Sequence, residues 1–237
     1  AVADLDGDGH LDAVVGSYGS QIAVHKGMPG GAFAPAQFLS VGGNAFSVSV
    51  GDFNGDGRLD IAVGTLDGLL HILLGVGSVG SPGFSLAHTY VAGGEPLETG
   101  VADFNGDGAL DIAMSNNPGA VTVFLGHSNG TSGDGSFLPP RNYAVAGNTP
   151  YGFTVGDADG DGIVDLVTGN GGGDVSLLRG LGDGTFRASE QYVTGAAGFD
   201  LSLADMNGDG AREMVVSGGA VILPGLLLAE ELASPGA

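Results

Sequence analysis

The sequence predicts an all-β protein, a β-propeller of four-stranded antiparallel blades, and three observations predict it. A nine-residue loop rich in Asp and Gly occurs five times, starting at Asp4, Asp52, Asp103, Asp157 and Asp205, with spacings of 48, 51, 54 and 48 residues. Periods of that size belong to propeller blades or stacked solenoid units. The short apolar runs that follow each loop are bounded by Gly and read as buried strands, four to a repeat. Helix-forming runs are almost absent, which selects the propeller.

The second repeat shows the order of elements. After its loop come Asp60-Ile61-Ala62-Val63-Gly64, a turn at Asp67-Gly68, and the run Leu69 to Leu74. A Gly-rich connection ending in Gly83-Phe84 leads to a third strand, Leu86 to Val91, and a fourth, Thr99 to Ala102, enters the next loop. The Gly-Phe type of corner recurs at Ala32-Phe33, Ser136-Phe137 and Thr185-Phe186. We name the strands A to D, with the Asp/Gly loop joining A to B. The first repeat opens late in strand A, at Ala1-Val2-Ala3, which reads as a mature or trimmed segment. The last offers Leu226 to Leu228 as a weak strand D, or Leu226 to Ala233 as a short helix. No linker divides the chain, so residues 1–237 read as one domain with repeats near 1–45, 46–96, 97–150, 151–198 and 199–237, a five-bladed ring or part of a larger propeller.

Within each loop, oxygen-bearing side chains stand at positions 1, 3, 5 and 9 and Gly at positions 4 and 6. These are Asp4, Asp6, Asp8 and Asp12; Asp52, Asn54, Asp56 and Asp60; Asp103, Asn105, Asp107 and Asp111; Asp157, Asp159, Asp161 and Asp165; and Asp205, Asn207, Asp209 and Glu213. Alternate spacing lets a curled loop aim these groups at one point, where carboxylates repel unless a cation sits among them. A hard oxygen donor set with no Cys and no obligatory His fits Ca²⁺ better than zinc or copper. Up to five Ca²⁺ are expected, and they would bring the formal net charge from −21 to −11. Loop 5 departs from the pattern with the longer Glu213 and is expected to be the weakest site. If charge dominates, loops 1 and 4, with four carboxylates each, bind most tightly.

Composition excludes several functions. Six Lys and Arg in 237 residues leave no basic patch for nucleic acid. Cysteine is absent, so there is neither a disulfide framework nor thiol chemistry. No apolar run reaches membrane-spanning length, the longest being broken by Pro224, so no membrane insertion is expected. Position 12 of each loop falls in a strand-like run rather than on the bidentate Glu of an EF-hand.

The loop, the Leu59-Asp60-Ile61-Ala62-Val63-Gly64 run and the Gly182-Asp183-Gly184-Thr185-Phe186 corner together resemble the FG-GAP/VCBS repeats of integrin α subunits and many secreted bacterial proteins. The resemblance covers essentially the whole chain. It implies a calcium-binding propeller in which the backbone carbonyl at position 7 is a further ligand: His10, Arg58, Ala109, Ile163 and Ala211. It also implies an extracellular or cell-surface protein that recognises glycan or protein ligands, as in cell adhesion, without being an enzyme. A polysaccharide-degrading enzyme and a structural spacer of a larger secreted protein are the alternatives. The B–C and D–A turns share the face opposite the metal loops, and there Tyr18, Asp67, Asn116, Asn117 and Asn170 are the candidate contacts. Aromatic and apolar residues six places before a loop, Phe46, Leu97, Tyr151 and Phe199, and strand-D residues Phe38, Tyr90, Tyr143 and Tyr192, are expected in the core. Composition leaves the oligomeric state open.

Overall fold

The structure, a computed structural model, describes residues 1–147, 149–195, 200–206, 212–217 and 219–220. The expectations at Phe199, Asn207, Asp209, Ala211 and the Leu226–Ala233 stretch lie outside the described residues.

Five antiparallel sheets follow one another along the chain. The first holds β1 (Val2–Ala3), β2 (Asp12–Gly16), β3 (Gln21–His25) and β4 (Gln37–Ser40). The second holds β5 (Ala45–Gly51), β6 (Asp60–Thr65), β7 (Leu69–Gly75) and β8 (Phe84–Val91). The third holds β9 (Glu95–Ala102), β10 (Asp111–Asn117) and β11 (Ala120–Phe124), then a separate hairpin of β12 (Gly126–Ser128) and β13 (Gly133–Phe137), then β14 (Arg141–Ala144) as its outer strand. The fourth holds β15 (Pro150–Gly156), β16 (Asp165–Asn170), β17 (Asp174–Leu178) and β18 (Glu190–Val193). The fifth holds β19 (Leu201–Ala204), β20 (Glu213–Val216) and β21 (Gly219–Ala220). The first four sheets are blades in sequence order A-B-C-D, the fifth shows A-B-C among the described residues, and every described element is a strand.

The A strands carry the contacts between blades: β5 packs on β9, β9 on β15 and β15 on β19. One apolar core fills each gap between consecutive blades. Val14, Ile22 and Val24 of the first blade meet Ile61, Val63 and Leu73 of the second. Phe53, Ala62 and Ile72 meet Ile112, Met114 and Phe124. Ala113, Val121 and Val123 meet Leu166 and Leu178, and Val167, Val175 and Leu177 meet Met214 and Val216. Strands B and C of inner blades are thus covered on both faces, which is why their sequences are continuously apolar rather than alternating. All six residues of β6 and all six of β16 are buried. The first blade differs: Val15 is 50% exposed, whereas Val63 and Met114 at the same register are at 0%.

Strand-D aromatics join the interblade cores except at the first blade. Tyr90 packs on Phe124 and Phe137 and accepts a hydrogen bond from the Phe137 N–H at 2.9 Å, and Tyr143 packs edge-on against Phe186. Tyr192 packs against the core of the last two blades. Phe38 is 63% exposed, against expectation. The A-strand residues also depart from the core expectation. Phe46 and Tyr151 are exposed and Leu97 is half-buried. In each of these strands the pairing register slips at that residue, between Ala45 and Ser47, between Pro96 and Glu98, and between Pro150 and Gly152. A bulge takes one residue out of the ladder and turns its side chain away from the face that alternation predicts.

Candidate metal centres

The four Asp/Gly loops among the described residues are held in shape by their own acidic side chains. In loop 1 the Asp4 carboxylate accepts from the N–H groups of Asp8 at 3.1 Å and Gly9 at 2.8 Å. Asp6 accepts from Asp8 N–H at 3.2 Å and Asp8 accepts from His10 N–H at 2.9 Å. The same bonds recur in loop 2 through Asp52, Asn54 and Asp56, in loop 3 through Asp103, Asn105 and Asp107, and in loop 4 through Asp157, Asp159 and Asp161. The curl needs left-handed backbone at positions 4 and 6, as at Gly7 (φ 69°) and Gly9 (φ 87°), where only glycine is free of strain.

The ninth position plays a second part that spacing did not reveal. Asp12, Asp60, Asp111 and Asp165 are fully buried. One carboxylate oxygen accepts from the N–H at loop position 2: Leu5 at 2.8 Å, Phe53 at 2.9 Å, Phe104 at 2.7 Å and Ala158 at 2.9 Å. The other accepts from a glycine at the end of strand C: Gly27 at 2.6 Å, Gly75 at 2.7 Å, Gly126 at 2.7 Å and Gly180 at 2.8 Å. These glycines lie fifteen residues after the Asp in every case, a spacing present in the sequence all along. In loop 5, Glu213 accepts from Met206 N–H at 2.6 Å. Burial pushes the carboxyls of Asp60 and Asp111 up to about 6 and raises Asp165, against the pull of their N–H donors. Positive charge close by would favour their ionised forms further, beside the two N–H donors each already has.

The donor set fits Ca²⁺. Asp4, Asp6 and Asp8 each offer an oxygen within 4.8 Å of the others, as do Asp157, Asp159 and Asp165. All offered side-chain atoms are carboxylate or amide oxygens, which suit a hard cation. Basic side chains already seek these carboxylates. The Lys26 ammonium lies 2.5 Å from both Asp6 and Asp8. Arg58 pairs with Asp56 from within loop 2, and Arg179 pairs with Asp159 of loop 4. At position 7, the N–H groups of His10, Arg58, Ala109 and Ile163 all close the turn onto position 5, independent of side-chain type.

The next blade completes loops 1, 2 and 3. The C–D connection of blade 2 donates Gly80 N–H to Asp6 O at 3.3 Å. Gly135 donates to Phe53 O at 3.0 Å and Gly184 to Phe104 O at 3.1 Å. The corner aromatics follow: Phe137 meets Phe53 edge-on at 5.7 Å and Phe186 meets Phe104 at 5.5 Å. Asp134 and Asp183 form the corner itself by accepting from the N–H groups of Ser136 and Thr185, both at 2.9 Å. A loop is therefore a joint between two blades.

The opposite face is only partly what the turns predicted. Tyr18 is 74% exposed and meets Phe46 edge-on at 6.1 Å. Asp67 and Asn117 line an open cleft of about 530 Å³ with Glu95, which accepts from Asn117 Nδ2 at 3.0 Å. The B–C and D–A turns do share this face. Asn116 and Asn170 correct the expectation of surface contacts, for they are 1% and 0% exposed. Asn116 Nδ2 donates to Thr122 Oγ1 at 2.6 Å, and Thr122 holds Ala92 O of the preceding crossover at 2.7 Å. Asn170 Nδ2 donates to Ser176 Oγ at 2.9 Å, and Ser176 accepts from Ala146 N–H at 3.1 Å. Both asparagines pin the chain where it passes from one blade to the next.

Comparisons with known proteins agree with this architecture. The FG-GAP-like repeat family matches residues 4–63, 103–168 and 157–216. No curated protein matches the chain. Among solved structures, a mutant Photorhabdus luminescens Tc holotoxin pore is 19% identical, with a TM-score of 0.46, over 94% of this chain and 11% of its own. BBS1N, solved in complex with ARL6DN, is 14% identical with a TM-score of 0.62, over 97% of this chain and 66% of its own. The second likeness shows the fold. Because the three matches together cover more than half of its residues, the chain belongs to the FG-GAP-like repeat family.

Proposed function

We propose that this protein is a non-enzymatic, calcium-stabilised propeller that recognises a glycan or protein ligand outside the cell. One observation carries the reading: four loops repeat the same inward-facing oxygen set over a fully buried ninth carboxylate. A bound Ca²⁺ would supply the positive charge that lets these carboxylates stay ionised side by side. The residues do the rest. Positions 1, 3 and 5 hold the curl, and position 9 ties the loop to strand C. The corner of the following blade holds the loop from outside. Loops of this kind fill at the calcium concentrations found outside cells. Tyr18, Asp67, Asn117 and Glu95 offer a polar surface on the opposite face, where turns built on a rigid scaffold commonly carry recognition.

The test has two arms. Thermal unfolding in calcium and in EDTA is expected to show a higher melting temperature in calcium, by linkage of binding to folding. Equal melting temperatures would remove the calcium reading. Binding to a glycan and matrix-protein array, in calcium and in EDTA, is expected to give calcium-dependent ligands. A blank array with folded protein would remove the recognition reading.

A further inference from the structure

Lys26 and Arg179 occupy one structural position in two different blades. Each stands directly after strand C, fourteen residues beyond the ninth-position Asp of its loop. In blades 2 and 3 that position is Leu74 and Leu125, which pack into the interblade cores. The basic pair coincides with the loops whose third residue is an acid, Asp6 and Asp159. The leucines coincide with the loops whose third residue is an amide, Asn54 and Asn105. The contacts explain the match. The Asp6 side chain has no exposed surface, and its outer oxygen is 2.5 Å from the Lys26 ammonium, which also reaches Asp8 at 2.5 Å. Asp159, with 16% of its side chain exposed, pairs with Arg179, whose Nε reaches Glu190 at 3.2 Å. A carboxylate so buried requires a partner charge, whereas an amide does not. The inner oxygen of each Asp meanwhile accepts the N–H of loop position 5, as the oxygen of Asn54 and Asn105 does.

We propose that Lys26 and Arg179 are built-in counter-charges that cancel the fourth carboxylate of loops 1 and 4, giving these loops the same net charge toward a cation as loop 3. Asp with a tethered base and Asn with leucine are two equivalent solutions at one position. The inference rests on the calcium reading above, and it removes the ranking in which loops 1 and 4 bind tightest by carboxylate count. It also gives loops 1 and 4 a way to hold their shape without metal.

A double-substitution cycle on the full chain tests it, with calcium as the titrant in calorimetry and thermal melts in EDTA. Lys26→Leu is expected to lower the melting temperature in EDTA and to tighten one class of site roughly tenfold, since one unit charge a few ångströms from a divalent ion has been removed. Adding Asp6→Asn is expected to return both quantities toward wild type, and Lys26→Arg to leave both nearly unchanged. Arg179→Leu with Asp159→Asn gives the same cycle in loop 4, should the first pair fail to fold. Lys26→Leu lowering stability equally in calcium and EDTA, with unchanged calcium affinity, would overturn the proposal. Wild-type protein that binds no calcium refutes the calcium reading instead. The EDTA melts then still decide the pairing, because a failure of Asp6→Asn to rescue Lys26→Leu overturns it independently.

Discussion

Replacing Asp111 by Ala removes a carboxylate that satisfies two backbone N–H groups, Phe104 and Gly126, each at 2.7 Å, at a site with no solvent access. Each buried N–H left without a partner costs about 1–3 kcal/mol, so the loss is about 2–6 kcal/mol before any cavity is counted. In a chain of this size about 1 kcal/mol moves the melting temperature by roughly 2–4 °C, so a fall of roughly 4–24 °C is expected. The decisive condition is EDTA, where metal ligation contributes nothing. Asp107→Asn is the control in the same loop. Asn keeps an oxygen for the Ala109 N–H, which Asp107 accepts at 2.9 Å, and removes the charge and one part-buried bond from Asn105 Nδ2 at 3.0 Å, while both buried N–H groups of the position-9 staple keep their acceptor. It is expected to change the EDTA melting temperature little and to abolish one calcium site in calorimetry. Differential scanning calorimetry of both variants, with and without calcium, makes the comparison. If Asp111→Ala melts with Asp107→Asn in EDTA, position 9 is a ligand alone and the stapling argument is wrong.

Three further outcomes follow from other contacts. Burial raises the Glu98 carboxyl to about 7 from an ordinary value near 4.5, opposed by its bond from Phe153 N–H and aided by Asp200. The folded state therefore disfavours the ionised form, and this contribution to stability is full below pH 4.5 and lost as pH rises through 7. Glu98→Gln, melted from pH 4 to 8 in EDTA, should match wild type at the acid end and exceed it at pH 8, by about 1–2 kcal/mol allowing for solvent screening. A Cβ at Gly126 would stand 2.5 Å from Leu110 O, so Gly126→Ala should lower the urea midpoint by the equivalent of about 1–3 kcal/mol. Tyr90→Phe deprives the Phe137 N–H of its acceptor across the blade boundary and should cost about 1 kcal/mol in the same assay.

How much of this was legible beforehand differs by element. The loop recurrence and the Gly-bounded runs carried the blade period, because both are local and repeat five times. The oxygen set of each loop was legible for the same reason. Asn116 and Asn170 misled because they are turn-forming residue types beside real turns. Whether a residue near the end of a strand points inward depends on where the hairpin closes, and the B–C connections differ in length among blades. Phe46, Leu97 and Tyr151 misled because each occupies a bulge, and a bulge is invisible to a period-two pattern. Lys26 and Arg179 were overlooked because a lone basic residue after a strand carries no signal until it is aligned with its loop. The glycines fifteen residues past each ninth-position Asp could have been found by spacing alone.

The joint between loop and following corner bears on how such chains change length. Because Gly135 reaches Phe53 and Gly184 reaches Phe104 in the same way, a corner recognises a loop by backbone shape more than by side-chain identity. A duplicated or deleted repeat, cut at equivalent points, would present a corner of familiar shape to the loop before it and a loop of familiar shape to the corner after it. Repeat number can then drift over generations without each new junction having to evolve its own complementarity.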